Sequence, residues 1–279
     1  MGKYIFLDID GTLYSPVINA TPDSALQAIH QARANGHKVF LCTGRSLAEI
    51  VTYLDYDIDG YILAAGAKVY ADKKCIYDEP ISKPALASLK DMLNGMNLGY
   101  TLEGNAGAYG NPIGYEFQLN YFSHMHAGRD EKIENAMLNC SYPESEAHED
   151  DAIYKICVYS HDGSEYPLVE EKLGKEYLMT YVVSDPEAHF YVAEITNVAI
   201  NKATGIQKVL EHYHACKDDA IGIGDSDNDI PMLKYCGTSI AMGNGSQSVK
   251  DIADDITTDI LDDGIMNAFK KYQLIGDEL

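Results

Sequence analysis

Four places in the chain carry residue types that could hold and activate an anion. Asp8-Ile9-Asp10-Gly11-Thr12 sets two carboxylates two residues apart. Thr43-Gly44-Arg45 offers a hydroxyl beside an unobstructed backbone N–H, a pairing that suits a phosphate or another oxyanion. Asp225-Ser226-Asp227-Asn228-Asp229 adds further carboxylates and an amide. Lys202 stands where a helix should begin. The helix dipole disfavours a cation there, so an anionic ligand would account for it. Adjacent carboxylates repel, and one must take up a proton unless a cation lies between them. A hard cation with oxygen ligands, Mg2+ foremost, meets that need, with Asp225 as a third carboxylate. Taken singly, each stretch is equally a turn, a cap or a surface charge. Their shared setting gives them weight.

That setting is the end of a strand. Tyr4–Leu7, Lys38–Cys42 and Ala220–Gly224 are short apolar runs, each followed at once by a polar stretch. Between the first two, Thr21-Pro22-Asp23 should open a helix with Thr21 as its cap. Ala25, Leu26, Ile29 and Ala32 keep helical spacing, and Gly36 closes it. This βαβ pattern implies a parallel sheet with a right-handed crossover. In such sheets ligands bind beyond the carboxyl ends of the strands. Asp8/Asp10, Thr43/Gly44 and Asp225/Asn228/Asp229 should therefore meet at one edge, with Asp8 and Asp10 pointing the same way at period 2. A third strand is expected at 61–64 and a hairpin within 69–77. The parallel pattern resumes late: Ile206, Val209, Leu210 and Tyr213 keep helical spacing after Lys202, another helix starts at Ile230, and 239–242 forms a strand.

Between these halves the regularity drops. Gly104, Gly107, Gly110 and Gly114 punctuate a tyrosine-bearing stretch that reads as loop-rich. The expected architecture is α/β: a Rossmann-like parallel-sheet core from residues 1–81 and 190–279, with a smaller α+β domain inserted at 82–189.

Composition narrows the partners. The chain has 279 residues and a formal net charge of −22, with Arg only at 33, 45 and 129. Such a field repels nucleic acid and anionic lipid, so neither is an expected partner. The nearest two of the six cysteines, Cys140 and Cys157, are 17 residues apart, which gives no CxxC metal cluster and suits free thiols in a reducing compartment. Carboxylates arrive too early for a signal peptide, and no apolar run reaches the roughly 18 residues of a membrane span. The chain reads as cytoplasmic.

Asp8-Ile9-Asp10-Gly11-Thr12-Leu13 resembles the DxDGT signature of the haloacid dehalogenase-like (HAD) phosphohydrolases. Thr43-Gly44-Arg45, Lys202 and Gly224-Asp225-Ser226-Asp227-Asn228-Asp229 resemble their second, third and fourth motifs, in the same order. The position of the inserted domain, and the stretches 190–196 and Ala241-Met242-Gly243-Asn244, resemble the Cof-type subfamily with its α/β cap. One departure is Ala65-Gly66-Ala67, where many relatives carry Asn-Gly-Ala.

The resemblance implies a Mg2+-dependent phosphomonoester hydrolase. Asp8 would be the nucleophile forming an aspartyl-phosphate, and Asp10 the acid and then the base. Mg2+ would bind Asp8, the backbone carbonyl of Asp10, and Asp225. Thr43, Gly44, Lys202 and Asn228 would hold phosphoryl oxygens, and Asp229 would orient Lys202 or a metal-bound water. The partner would be a small phosphorylated metabolite, either a sugar phosphate or a nucleotide or cofactor phosphate, selected by the cap. A phosphotransferase or mutase, or a non-catalytic phospho-ligand binder, would share these features. No sequence feature sets an oligomeric state.

Three weaker signals remain. His124 and His126 would share one side of a strand and could hold a second metal. Tyr109, Tyr115, Phe117, Tyr121 and Phe122 would pack a core or stack on a sugar ring, with core packing the simpler account. Arg45 and Arg129 could each clamp an anion or sit in a surface ion pair.

Overall fold

The computed structural model describes residues 2–125 and 140–276, with backbone alone for 121–125. The chain begins with β1 (Tyr4–Leu7), α1 (Asp23–Ala34), β2 (Lys38–Cys42), β3 (Gly60–Leu63) and the hairpin β4 (Lys68–Ala71) and β5 (Lys74–Asp78). It continues through α2 (Lys83–Gly95), β6 (Gly99–Gly104), β7 (Ala108–Gly110), α3 (Pro112–Met125), β8 (Ser141–Pro143), β9 (Ile153–Ser160), α4 (Tyr166–Lys172), β10 (Tyr177–Asp185) and β11 (Phe190–Asn197). The last part holds α5 (Lys202–Tyr213), β12 (Ala220–Gly224), α6 (Ile230–Tyr235), β13 (Thr238–Ala241), α7 (Gln247–Ile252), β14 (Asp255–Ile256) and α8 (Gly264–Lys271).

Contacts divide the chain into two units: Met1–Gly44, Asp55–Asp78 and Ile200–Leu279 form the first, and Arg45–Leu54 with Glu79–Ala199 the second. The first is built on an eight-stranded sheet, ordered β14-β13-β12-β1-β2-β3-β4-β5. Its strands are parallel from β14 to β3, and the β4–β5 hairpin is antiparallel at one edge. β1 lies between β2 and β12, with Leu7 opposite Leu41 on one side and Ile223 on the other. The strands read as continuous apolar runs because helices cover both faces. Phe6 and Phe40 stack at 5.4 Å within a cluster that includes Ile206, Val209, Leu210, Met232 and Leu233. α1 and α8 pack together elsewhere in the unit.

Close packing sets where α5 begins. A Cβ on Gly205 would lie 2.3 Å from Ile62 Cγ2, and one on Gly66 would lie 2.1 Å from the Asn201 carbonyl oxygen. Gly66 also has φ +114°, a conformation that favours glycine. The first turn of α5 therefore rests directly on β3 and the turn after it.

The second unit holds a six-stranded sheet, ordered β10-β11-β9-β6-β7-β8, antiparallel except for β7–β8. Leu89 and Leu93 of α2 and Tyr166 and Val169 of α4 pack with Tyr100, Leu102, Ile156 and Val158 of the sheet. Among the described residues, no helix is long and apolar enough to cross a membrane.

Four local expectations change. The inserted segment does not close at 189, because β11 pairs with β10 and β9 in the second sheet. Arg45–Leu54, early in the sequence, groups with that unit too. The glycine-punctuated stretch is mostly ordered elements: Gly104, Gly110 and Gly114 lie in β6, β7 and α3, and only Gly107 lies in the turn between β6 and β7. Its glycines allow backbones to touch: a Cβ on Gly114 would lie 2.1 Å from the Tyr100 carbonyl oxygen. Thr21 does not cap α1, whose preceding residue Pro22 makes no side-chain cap bond; the Thr21 hydroxyl instead accepts from Tyr56 at 3.0 Å.

Adding bulk at Gly205 must push α5 off β3, whereas Gly174 faces open space. Gly205→Val should cost about 1–3 kcal/mol. Gly174→Ala should stay within about 0.5 kcal/mol of the parent. Urea unfolding midpoints measure both, and equal effects would contradict this packing.

Candidate active site

β1 stops at Leu7, and the chain then turns tightly. The Ile9 carbonyl accepts from the N–H groups of Thr12, Leu13 and Tyr14, and Gly11 turns at φ +85°. Asp8 and Asp10 are thus not alternate residues of a strand. Asp8 is 3% exposed, Ile9 fully buried and Asp10 exposed. The reason is the turn: strand periodicity ends where the chemistry begins. The Asp8 N–H still donates to the Ile223 carbonyl at 3.1 Å, which ties the loop to β12.

Lys202 is the first residue of α5. Asn201 caps that helix, its side chain accepting from the N–H groups of Ala203 and Thr204, while its own N–H donates to the Thr204 hydroxyl. The lysine is 1% exposed. Its Nζ donates to Asp8 Oδ1 at 2.6 Å, to Asp229 Oδ1 at 2.5 Å and to Asn228 Oδ1 at 3.2 Å. Burial alone would lower its pKa. The carboxylates of Asp229 and Asp8 outweigh burial and raise it, so the ammonium stays charged. The second oxygen of Asp8 accepts no hydrogen bond from the described residues.

Asp229 is fully buried and accepts three hydrogen bonds. Its Oδ2 accepts from the N–H groups of Asp225 and Ser226, and its Oδ1 is taken by Lys202. A Cβ on Gly224 would lie 2.5 Å from that carboxylate, so the side chain folds back over a glycine. Asp225 Oδ1 accepts from the Thr12 hydroxyl at 2.9 Å. Its Oδ2 comes so near Gly11 that a Cβ there would be 2.2 Å away. Thr43 is buried at the end of β2, with its N–H bonded to the Ile62 carbonyl and its own carbonyl to the Ala65 N–H. Gly44 follows, and a Cβ there would meet nothing within 4 Å. Neighbouring protein does not demand a glycine at 44, where a Cβ would point into open space.

The predicted residues therefore gather at the carboxyl ends of β1, β2 and β12. Asp8, Lys202, Asn228 and Asp229 are joined by direct hydrogen bonds. Asp225 joins through Asp229 and Thr12, and Asp10 acts through its charge. Burial raises the Asp8 carboxyl well above the ordinary range, with Asp229 and Asp10 adding to the effect against the opposing pull of Lys202. Burial and the Asp229 charge push Asp225 up to about 6. Burial is the larger cause of both shifts, and the crowding of negative charge adds to it.

Oxygens of Asp8, Asp225 and Asp229 lie within 4.8 Å of one another. All three carboxylates already accept hydrogen bonds, three at Asp229 and one each at Asp8 and Asp225, so Asp8 and Asp225 keep more acceptor capacity for a metal. Hard oxygen donors and surplus anionic charge fit a divalent cation such as Mg2+. The signal sequence reasoning lacked was the Thr12 hydroxyl on Asp225, part of the first stretch but given no role. Of the weaker signals, His124 falls in α3 rather than a strand, while His126 and Arg129 lie outside the described residues. Arg45 stands 5.7 Å from the Tyr53 ring centroid and donates to the Glu49 carbonyl. Tyr109 and Phe117 stack on Tyr142 and Tyr159, as core residues do.

The family model described as haloacid dehalogenase-like hydrolase matches residues 5–269. The putative phosphatase YkrA of Bacillus subtilis (strain 168) is 27% identical over 281 residues, 98% of this chain and 98% of the relative. The 5-amino-6-(5-phospho-D-ribitylamino)uracil phosphatase YitU of the same strain is 40% identical over 85 residues, 30% of this chain and 32% of the relative. Among solved structures, the HAD subclass IIB sugar phosphatase BT4131 shares the fold at TM-score 0.76 and 24% identity, covering 98% of this chain and 100% of that one.

Asp225 has a pKa of about 6 in the folded protein against 3.8 as its ordinary value. Folded protein then keeps a proton that the unfolded chain releases between about pH 4 and 6, so rising pH through that window favours unfolding. Asp225→Asn removes this titration. In EDTA its Tm should gain on the parent's by about 2–4 °C between pH 4 and pH 7, read by scanning calorimetry. A difference independent of pH would contradict the crowding of charge.

Proposed function

Because the chain belongs to the family of haloacid dehalogenase-like hydrolases, we propose that it hydrolyses the phosphomonoester of a small metabolite, with Asp8 as the nucleophile. One observation carries this reading: Lys202 holds Asp8 by one oxygen and leaves the other open, at the carboxyl end of a central parallel strand. A carboxylate can attack phosphorus only if its own charge and that of the phosphate are offset. Lys202 supplies part of that offset. Mg2+ held by Asp8, Asp225 and the Asp10 backbone carbonyl would supply the rest of the positive charge.

The open oxygen of Asp8 bonds to phosphorus as the bond to the leaving oxygen breaks. Asp10, exposed and two residues on, gives that oxygen its proton. In the second half Asp10 takes a proton from water, the water oxygen bonds to phosphorus, and Asp8 is freed with inorganic phosphate. The Thr43 hydroxyl, the Gly44 N–H and Asn228 hold the phosphoryl oxygens through both halves, with Lys202, which turns to them the N–H it gives Asn228 at 3.2 Å. Asp229 fixes Lys202 in place. We assign choice of leaving group to the inserted unit. The names of the relatives YitU and BT4131 favour a phosphorylated sugar or a cofactor-type phosphate as substrate.

With p-nitrophenyl phosphate, Asp8→Asn should abolish turnover, and Asp10→Asn should lower kcat by about 10²–10⁴-fold. Turnover of Asp8→Asn at the parent rate would end the nucleophile assignment. EDTA should stop release of p-nitrophenol by the parent and added MgCl2 should restore it. Release unaffected by EDTA would rule out a metal-dependent reaction.

A further inference from the structure

The loops bearing Asp8, Asp10 and Asp225 carry like charges that push one another apart. Something must hold them at their observed spacing. The turn between β13 and α7 is placed to do so. Its Met242 N–H donates to the Gly224 carbonyl at 2.9 Å, and its Ser246 N–H to the Asp225 carbonyl at 2.8 Å. A Cβ on Gly245 would lie 3.1 Å from the Asp225 carbonyl oxygen, so the turn rests against that residue's backbone. From the same turn, Asn244 Nδ2 donates to the Gly11 carbonyl at 2.7 Å. Asn244 Oδ1 accepts from the Ile260 N–H at 3.0 Å, which fixes the amide's orientation.

We propose that Asn244 is a positioning residue that sets the gap between the Asp8–Gly11 loop and Asp225, and through it the affinity for the divalent cation. The inference rests on the metal reading given above. Gly11 follows Asp10 directly, and its missing side chain is what lets the Asp225 carboxylate approach. A tie at its carbonyl therefore acts on both carboxylate loops at once. Asn244 touches neither a carboxylate nor any proposed reacting atom; it acts through backbone. Hydrogen-bonded supports of metal ligands typically govern metal affinity by about 10–100-fold.

The test is titration of the apo protein with MgCl2 by isothermal calorimetry, alongside apo Tm. Asn244→Ala should weaken Mg2+ binding by about 10–100-fold, and kcat should return to within a few-fold of the parent at saturating MgCl2. Asn267→Ala is the control, since Asn267 Nδ2 makes comparable surface bonds to the Thr258 hydroxyl and the Asp262 carbonyl. It should leave Mg2+ affinity unchanged. If Asn244→Ala does not fold, Asn244→Ser, too short to span to Gly11, takes its place. An unchanged Mg2+ affinity with a lowered apo Tm would show a merely structural role and overturn the proposal. Equal losses in Asn244→Ala and Asn267→Ala would also overturn it. No saturable Mg2+ binding by the parent would instead remove the metal reading, and this inference with it.

Discussion

The arrangement depends on one buried ammonium. Lys202 is the cation hydrogen-bonded to both Asp8 and Asp229, two carboxylates that are themselves removed from water. Removing one member of such a buried set leaves the others uncompensated, at a cost of about 3–5 kcal/mol. Much of the first unit serves to place that nitrogen. Asn201 caps the helix that starts with it, Gly66 and Gly205 let the helix start lie on β3, and Gly224 lets Asp229 fold back to meet it. One lysine does not neutralise Asp8, Asp10, Asp225 and Asp229 together. The remaining negative charge fits a divalent cation, and it would repel a phosphate unless such a cation offset it.

The parallel framework was legible because it depends on local pattern. Apolar runs at 4–7, 38–42 and 220–224 end in polar residues, and the structure puts all three strands side by side. Ordering Asp8, Thr43 and Asp225 along one edge follows from strand direction alone. The helix at Lys202 was legible from spacing, and its Asn201 cap adds the detail that turns the side chain's position into a fixed one.

What escaped the sequence depends on contacts between distant segments. Arg45–Leu54 follows the Thr43–Gly44 turn directly, yet its contacts are with the second unit. β11 precedes the resumed parallel pattern without a break in composition, and only its pairing with β9 and β10 assigns it. Glycines at 104, 107, 110 and 114 read as punctuation, but at 110 and 114 they mark close backbone approach between β6, β7 and α3. The Asp8–Asp10 pair was read at strand period, whereas a tight turn sends one carboxylate into the interior and the other to the surface. Thr12 and Asn244 act through single hydrogen bonds to residues more than 200 positions away, a relation no local pattern encodes.

The most direct measurement is a crystal structure of the protein with Mg2+ and beryllofluoride, a mimic of a phosphoryl group on a carboxylate. The account predicts beryllium bonded to the Asp8 oxygen that Lys202 does not hold, with Lys202 still bridging Asp8 and Asp229. An adduct on any other side chain, or Lys202 drawn away from both carboxylates, would contradict it.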